Sequence, residues 1–166
     1  MFKKSLIFAS FLCLLSSCST QNVETRNYTD YPQNYLSKLE DFYSLDDEEY
    51  FIDLYQVTCS HCEATKTTIF NYLDDFNNGA KKIPLYLFDI NSGNGEANRA
   101  MFKELPNWYE ESRDYEKIVQ EMERVKPNSL DETYYVGTPT LYLIKDNRLE
   151  RMFVGEREVN GALLNN

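Results

Sequence analysis

The chain has 166 residues, enough for one domain with a short appendage. Hydrophobic residues make up 42% and charged residues 27%, a balance that supports a packed core rather than wholesale disorder. Lys and Arg number 17 against 27 Asp and Glu, a formal charge of -10, which argues against binding a phosphate backbone. A single histidine, His61, excludes multi-histidine metal sites, and four cysteines are too few for a disulfide-framework miniprotein.

Residues 1–17 pair two early lysines, Lys3 and Lys4, with the apolar run Leu6 to Leu15 and the small residues Ser16 and Ser17. This is the pattern of an export signal. The run is shorter than the roughly 20 residues a lasting membrane-spanning helix needs. Leu15-Ser16-Ser17-Cys18 resembles the lipobox of bacterial lipoproteins. That resemblance implies cleavage before Cys18, lipidation of its sulfur and an extracytoplasmic chain held at the bacterial cell membrane by lipid; the alternative is a plain secretory signal. Cys13 leaves with the signal in either case. Losing the segment removes two lysines and no acid, so the lipid and not a basic patch must hold the body at an anionic surface. The polar residues that follow Cys18, as far as about Gln33, read as a flexible tether, able to reach on the order of 50 Å when extended.

Residues 34–166 then read as one domain of alternating helices and strands. Tyr35, Leu36, Leu39, Phe42 and Tyr43 predict an amphipathic helix over about 33–45, ended by the acidic run 46–49. Tyr50 to Val57 reads as a buried strand. Cys62, Ile69, Phe70, Leu73 and Phe76 form a helical stripe, stopped at Asn77-Asn78-Gly79. Ile83 to Ile90 is a second strand. An insertion over about 91–135 predicts a short helix over 97–105 and a longer one from Pro106 to Val125. Thr140 to Lys145 and Arg148 to Val154 predict a hairpin turning at Asp146-Asn147, and Glu156 to Leu164 a last short helix.

The chemistry sits at Cys59-Ser60-His61-Cys62. A cysteine opening a helix faces unpaired backbone N–H groups and the positive end of the macrodipole, which lower a thiol pKa from its usual value of about 8.5. The thiolate is the attacking species in disulfide exchange. The spacing places a second sulfur within bonding reach to resolve a mixed disulfide. His61 adds a donor and, when protonated, a positive charge. A zinc site lacks further ligands, since only His61 and these two cysteines follow Cys18. A static structural disulfide stays open as an alternative.

Several features together resemble the thioredoxin-like superfamily: the strand, Cys59-x-x-Cys62, helix order; Asp53 six residues before Cys59; Val136-Gly137-Thr138-Pro139-Thr140 before a hairpin; and Phe153-Val154-Gly155 after the last strand. The resemblance implies an α/β thioredoxin-like fold with a central mixed sheet of about four strands, flanked by helices and carrying a helical insertion before a cis-proline loop. It implies that Cys59 is the nucleophile, Cys62 the resolving thiol and Asp53 a buried acceptor for the Cys62 proton. It further implies that Pro139 is cis and that Thr138 pairs with an extended substrate strand.

The sequence departs from the family pattern at Thr58, where many thioredoxins have Trp, at Thr67, where they have Pro, and in its short last helix. Ser60-His61 resembles the motifs of disulfide isomerases and periplasmic oxidases more than that of reductases. The expected function is therefore thiol–disulfide exchange with protein substrates, oxidative or isomerising in direction. It requires no cofactor beyond the Cys59–Cys62 pair and no metal, and a separate redox partner resets the pair. The rival reading is a surface-binding lipoprotein with a permanent Cys59–Cys62 disulfide. The insertion either forms a lid through Trp108 or simply covers one sheet face with Trp108, Ile118 and Met122.

Overall fold

The structure, a computed structural model, describes residues 26–166. The expected signal segment 1–17, Cys18 and the tether up to residue 25 lie outside the described residues. Nine elements follow in order: β1 (Glu49–Tyr55), α1 (Ser60–Asn77), β2 (Leu85–Asp89), α2 (Gly95–Ala100), α3 (Asn107–Ser112), α4 (Tyr115–Val125), β3 (Thr140–Lys145), β4 (Arg148–Val154) and α5 (Glu156–Asn165). The sheet order is β2-β1-β3-β4. β1 runs parallel to β2, joined by the α1 crossover, with Asp53 opposite Leu87. β3 is antiparallel to β1, with Asp53 opposite Leu141, and β4 returns as its hairpin partner.

The central position of β1 explains its composition. Successive side chains alternate between faces, and both faces are covered, so all but its first residue are buried. Tyr50, Ile52 and Leu54 pack with Phe88, Tyr142, Ile144 and the insertion residues Ile118 and Met122. Phe51 and Tyr55 point the other way, into a cluster with Cys62, Ile69 and Phe70 of α1 and Val159 and Leu163 of α5. Asp53 lies between Phe51 and Tyr55 on this second face. Truncating a fully buried residue such as Leu54 to Ala costs about 2–5 kcal/mol by the transfer and cavity terms together.

Two expectations are corrected here. No α-helix spans 33–45. Instead, 3-10 turns cover Pro32–Asn34 and Leu39–Tyr43, separated by residues 35–38, of which Tyr35 and Lys38 are extended. The buried residues Leu36, Leu39 and Phe42 recur every three positions, the period of a 3-10 helix and not of an α-helix. The open edge of β2 also competes for this segment, because the Leu36 amide donates to the Leu87 carbonyl over 2.9 Å.

The stretch from Arg26 to Gln33, expected as part of the tether, is not a tether either. Residues 26–33 are folded against the body, and Tyr28 and Tyr31 are both buried. The Arg26 guanidinium meets Asp74 at 2.7 Å and donates to Asn71 Oδ1 over 2.8 Å, and the Tyr31 hydroxyl donates to Asp74 over 2.9 Å. Aromatic side chains, and not the polar average of the stretch, decide its state.

The insertion departs in detail. The helix expected from Pro106 to Val125 breaks at Arg113, which is left-handed at φ 54°, and Asp114 caps the new helix by accepting from the Lys117 amide over 3.2 Å. The first insertion helix begins earlier than expected, at Gly95, capped by Asn94. Ile118 and Met122 are fully buried and Trp108 packs beside them, so the insertion does cover one sheet face.

Candidate active site

Cys59 is the N-cap of α1, in extended backbone at φ -88°, and its sulfur accepts from the Cys62 amide over 3.2 Å. The turn leading into it is closed by the Cys59 amide donating to the Gln56 carbonyl over 3.1 Å. The helix then runs without interruption through Thr67 to Asn77. Cys59 is half-buried, whereas Cys62, one turn in, is 1% exposed. Both are free thiols.

The two sulfurs are driven apart in acidity. Burial pushes the Cys59 thiol up, but hydrogen bonds from the Cys62 thiol, the Thr138 side chain and the Cys62 and His61 amides outweigh it and hold the thiol below its ordinary value. Burial first, then the hydrogen bond it makes to Cys59, pushes Cys62 up to about 12. The outer sulfur is thus the more acidic of the two.

Thr138 and Pro139 arrive from the loop before β3. The Thr138–Pro139 peptide is cis, and the Cys59 thiol donates to the Thr138 carbonyl over 3.4 Å. Gly137, at φ 132°, occupies backbone that other residues rarely adopt. The Gly155 amide donates to the Pro139 carbonyl over 2.9 Å, which ties the start of α5 to this loop. An open cleft of about 490 Å³ lies beside the loop, walled by His61, Thr138, Pro139, Gly155 and Glu156 and, from the insertion, Tyr115.

Asp53 is completely buried, and neither of its carboxylate oxygens has a hydrogen-bond partner. Burial pushes its carboxyl up to about 7. The His61 imidazole is 72% exposed and faces Glu156, Nδ1 to Oε2 being 3.8 Å, and the His61 amide is one of the donors to the Cys59 sulfur. Among the described residues no three His, Cys, Asp or Glu side chains converge as metal ligands would.

The residues expected at the site, Cys59, Cys62, Thr138 and Pro139, thus come together from a helix start and a distant loop, with His61 at the rim and Asp53 behind on β1. Sequence reasoning missed three tyrosines. Tyr115 lines the cleft, Tyr135 lies near Cys62, and Tyr28 lies near both Asp53 and Cys62. Periodicity marks Tyr115 as one more helix residue, and nothing local marks Tyr28 or Tyr135.

The fold is thioredoxin-like. The sheet order, the cysteine pair at the start of the crossover helix and the cis-proline before the hairpin establish it. No protein-family model matches the sequence, and no curated protein does. Among solved structures the chain is similar to oxidized mitochondrial thioredoxin 3 from Saccharomyces cerevisiae, at 14% identity and TM-score 0.42, covering 80% of this chain and 87% of that one. It is similar to thioredoxin from Aeropyrum pernix, at 20% identity and TM-score 0.42, covering 77% and 80%. A structure on the thiol-resolving mechanism in yeast mitochondrial 1-Cys peroxiredoxin is similar at 16% identity and TM-score 0.44, covering 80% and 90%.

Proposed function

We propose that this protein is an extracytoplasmic thiol–disulfide oxidoreductase, anchored to the membrane by lipid on Cys18, that exchanges disulfides with protein substrates through Cys59 and Cys62. The observation that carries the reading is the split between the two sulfurs. Cys59 caps the start of α1, half-buried and accepting from the Cys62 amide over 3.2 Å, whereas Cys62 is 1% exposed one turn in, which makes the outer thiol the more acidic. A purely structural pair has no need of that asymmetry.

When the pair reduces a substrate, the Cys59 thiolate attacks a substrate disulfide. A Cys59–substrate S–S bond forms, the substrate S–S bond breaks and one substrate sulfur leaves as thiolate. Cys62 then gives its proton to Asp53 and attacks the Cys59 sulfur. The Cys59–Cys62 bond forms, and the second substrate sulfur leaves with the electron pair. Two electrons pass from the dithiol to the substrate. Oxidation of a substrate dithiol runs the same steps backward, with Asp53 returning the proton to Cys62 as it leaves. A carboxyl near pH 7 serves both directions, since it is comparably ready to take or give a proton.

Thr138 supports the substrate strand through its backbone beside the cleft. The motif Ser60-His61 favours the oxidising or isomerising direction. No cofactor takes part, and a second redox protein resets the pair. The potential of the purified domain tests the reading: a catalytic pair falls between about -120 and -270 mV, a permanent disulfide below about -300 mV. Exchange with a disulfide peptide is lost in Cys59→Ser. Incorporation of labelled palmitate in the producing cell, lost in Cys18→Ala, tests the anchor.

A further inference from the structure

Among the described residues, buried side-chain polar atoms that lack a hydrogen bond include both carboxylate oxygens of Asp53 and the hydroxyl of Tyr28, behind the cysteine pair. Buried polar groups are nearly always paired, so an orphaned donor beside an orphaned acceptor calls for an explanation. The geometry brings the two together. Asp53 and Tyr55 are two apart on β1 and so share the face toward α1. The Tyr28 ring stacks on Tyr55 with centroids 3.7 Å apart and planes 11° from parallel. Its other side meets Phe70 of α1 edge-on at 5.2 Å. Tyr28 is 8% exposed. It is held there from both sides, by Arg26 on Asp74 of α1 and by Asn34 Nδ2 donating to the Leu85 carbonyl of β2 over 3.1 Å.

We propose that Tyr28 is a positioning residue for proton transfer between Cys62 and Asp53: its hydroxyl donates to the charged Asp53 carboxylate through one bridging water, and its ring closes the chamber to solvent. This rests on the exchange reading above and extends it, because it makes the segment before residue 37 part of the redox site. Electrostatics agree with the placement. After burial, Asp53 and then Cys62 are the largest influences raising the Tyr28 hydroxyl. The other titratable or charged groups around the chamber are Arg26, Tyr31 and Tyr35 on the same segment, Glu63 and Lys66 on α1, Tyr55 on β1, Asp89 on β2 and Tyr135 before β3. Burial is the cause acting on Asp53 itself, so a donor gained or lost there reads directly on its titration.

The test uses the full chain with Tyr28→Phe and Tyr28→Ala. The Asp53 carboxyl is followed by carbon NMR, and the pH profile of single-turnover exchange is measured alongside. Tyr28→Phe keeps the seal and loses the donor, so the Asp53 midpoint and the acidic limb of the rate both rise by about one pH unit. Tyr28→Ala opens the chamber to water, so the midpoint falls toward that of an ordinary carboxyl. A merely structural tyrosine would not move the two variants in opposite directions. Superimposable titrations of Tyr28→Phe and the unsubstituted chain overturn the assignment, and that variant serves even where Tyr28→Ala fails to fold. Exchange without a titration shift sinks the Tyr28 role alone, whereas a titration shift in a chain with no Cys59-dependent exchange sinks the functional reading in which the role is set.

Discussion

The amide of Cys62 and the sulfur of Cys59 lie 3.2 Å apart, so in the proposed exchange the residue that resolves the mixed disulfide would also stabilise, through its backbone, the thiolate that starts it. Helical geometry makes this double use possible, since the N-cap side chain faces the amides of the first turn. The inner thiol cannot share the benefit, because it is buried and its proton is committed to Cys59.

It follows that an alkylating agent discriminates between the two cysteines. At pH 7 iodoacetamide modifies Cys59 at least about tenfold faster than Cys62, because only the outer sulfur is both accessible and below the ordinary thiol range. Peptide mass spectrometry on briefly treated protein reads the ratio. In Cys62→Ser the mixed disulfide on Cys59 has no resolving partner and accumulates; its failure to form with any cellular protein contradicts the mechanism.

Asp53 gives the protein an unusual dependence of stability on pH. Burial raises its folded pKa to about 7, above the roughly 3.9 of a free Asp, so folding favours the protonated form. Below about pH 4 the carboxyl is neutral in both states and its burial is tolerated. As pH rises through about 7 the unfolded chain ionises freely and the folded one does so only against desolvation, so stability is lost across that window, by about 4 kcal/mol in all. Asp53→Asn removes this slope and melts higher than the unsubstituted protein above pH 7. Urea titrations at pH 4.5 and 7.5 check it, and equal slopes in the two proteins would falsify the assignment.

How much of this was legible beforehand differs by element. Thr140–Lys145 and Arg148–Val154 were readable to the residue, because two strand-forming runs around the Asp146-Asn147 turn, both residues at positive φ, are local signals. The cysteine pair, Asp53 and the Thr138-Pro139 loop were readable because the motif fixes their order along the chain. The segment from Arg26 to Tyr43 was not. Its state depends on α1 and on the outer edge of β2, partners about forty to fifty residues away that no local window contains. Polar composition said tether, and two tyrosines with a tertiary pocket said otherwise.

That segment carries a measurable share of the stability. A chain beginning at Ser37 lacks Tyr28, Tyr31 and Leu36, all buried, along with the Leu36 and Asn34 bonds to β2. Burying each large apolar side chain contributes about 1.5–3 kcal/mol before the cost of ordering the backbone. A chain beginning at Ser37 therefore melts on the order of 10 °C below one beginning at Arg26, by calorimetry. Equal melting temperatures would mean that these contacts contribute nothing net.

The insertion meets the cleft at one residue. Tyr115 opens α4, is 38% exposed and faces the cleft that His61, Thr138 and Pro139 share. Helix α4 is itself fixed, since Ile118 and Met122 are buried beneath it, so the ring is presented from a rigid support. Under the proposed function, a protein substrate docked along Thr138 would reach Tyr115, because both line one cleft, whereas a small disulfide reacting at Cys59 need not. Tyr115→Ala should therefore lower kcat/KM for a cysteine-containing peptide about three- to tenfold, the loss expected for one aromatic contact. The same variant leaves the rate with a small-molecule disulfide unchanged, because the helix start and both sulfurs are untouched. Equal losses on both substrates would show that the substitution had disturbed the sulfurs themselves, and equal rates on both would remove the insertion from substrate recognition.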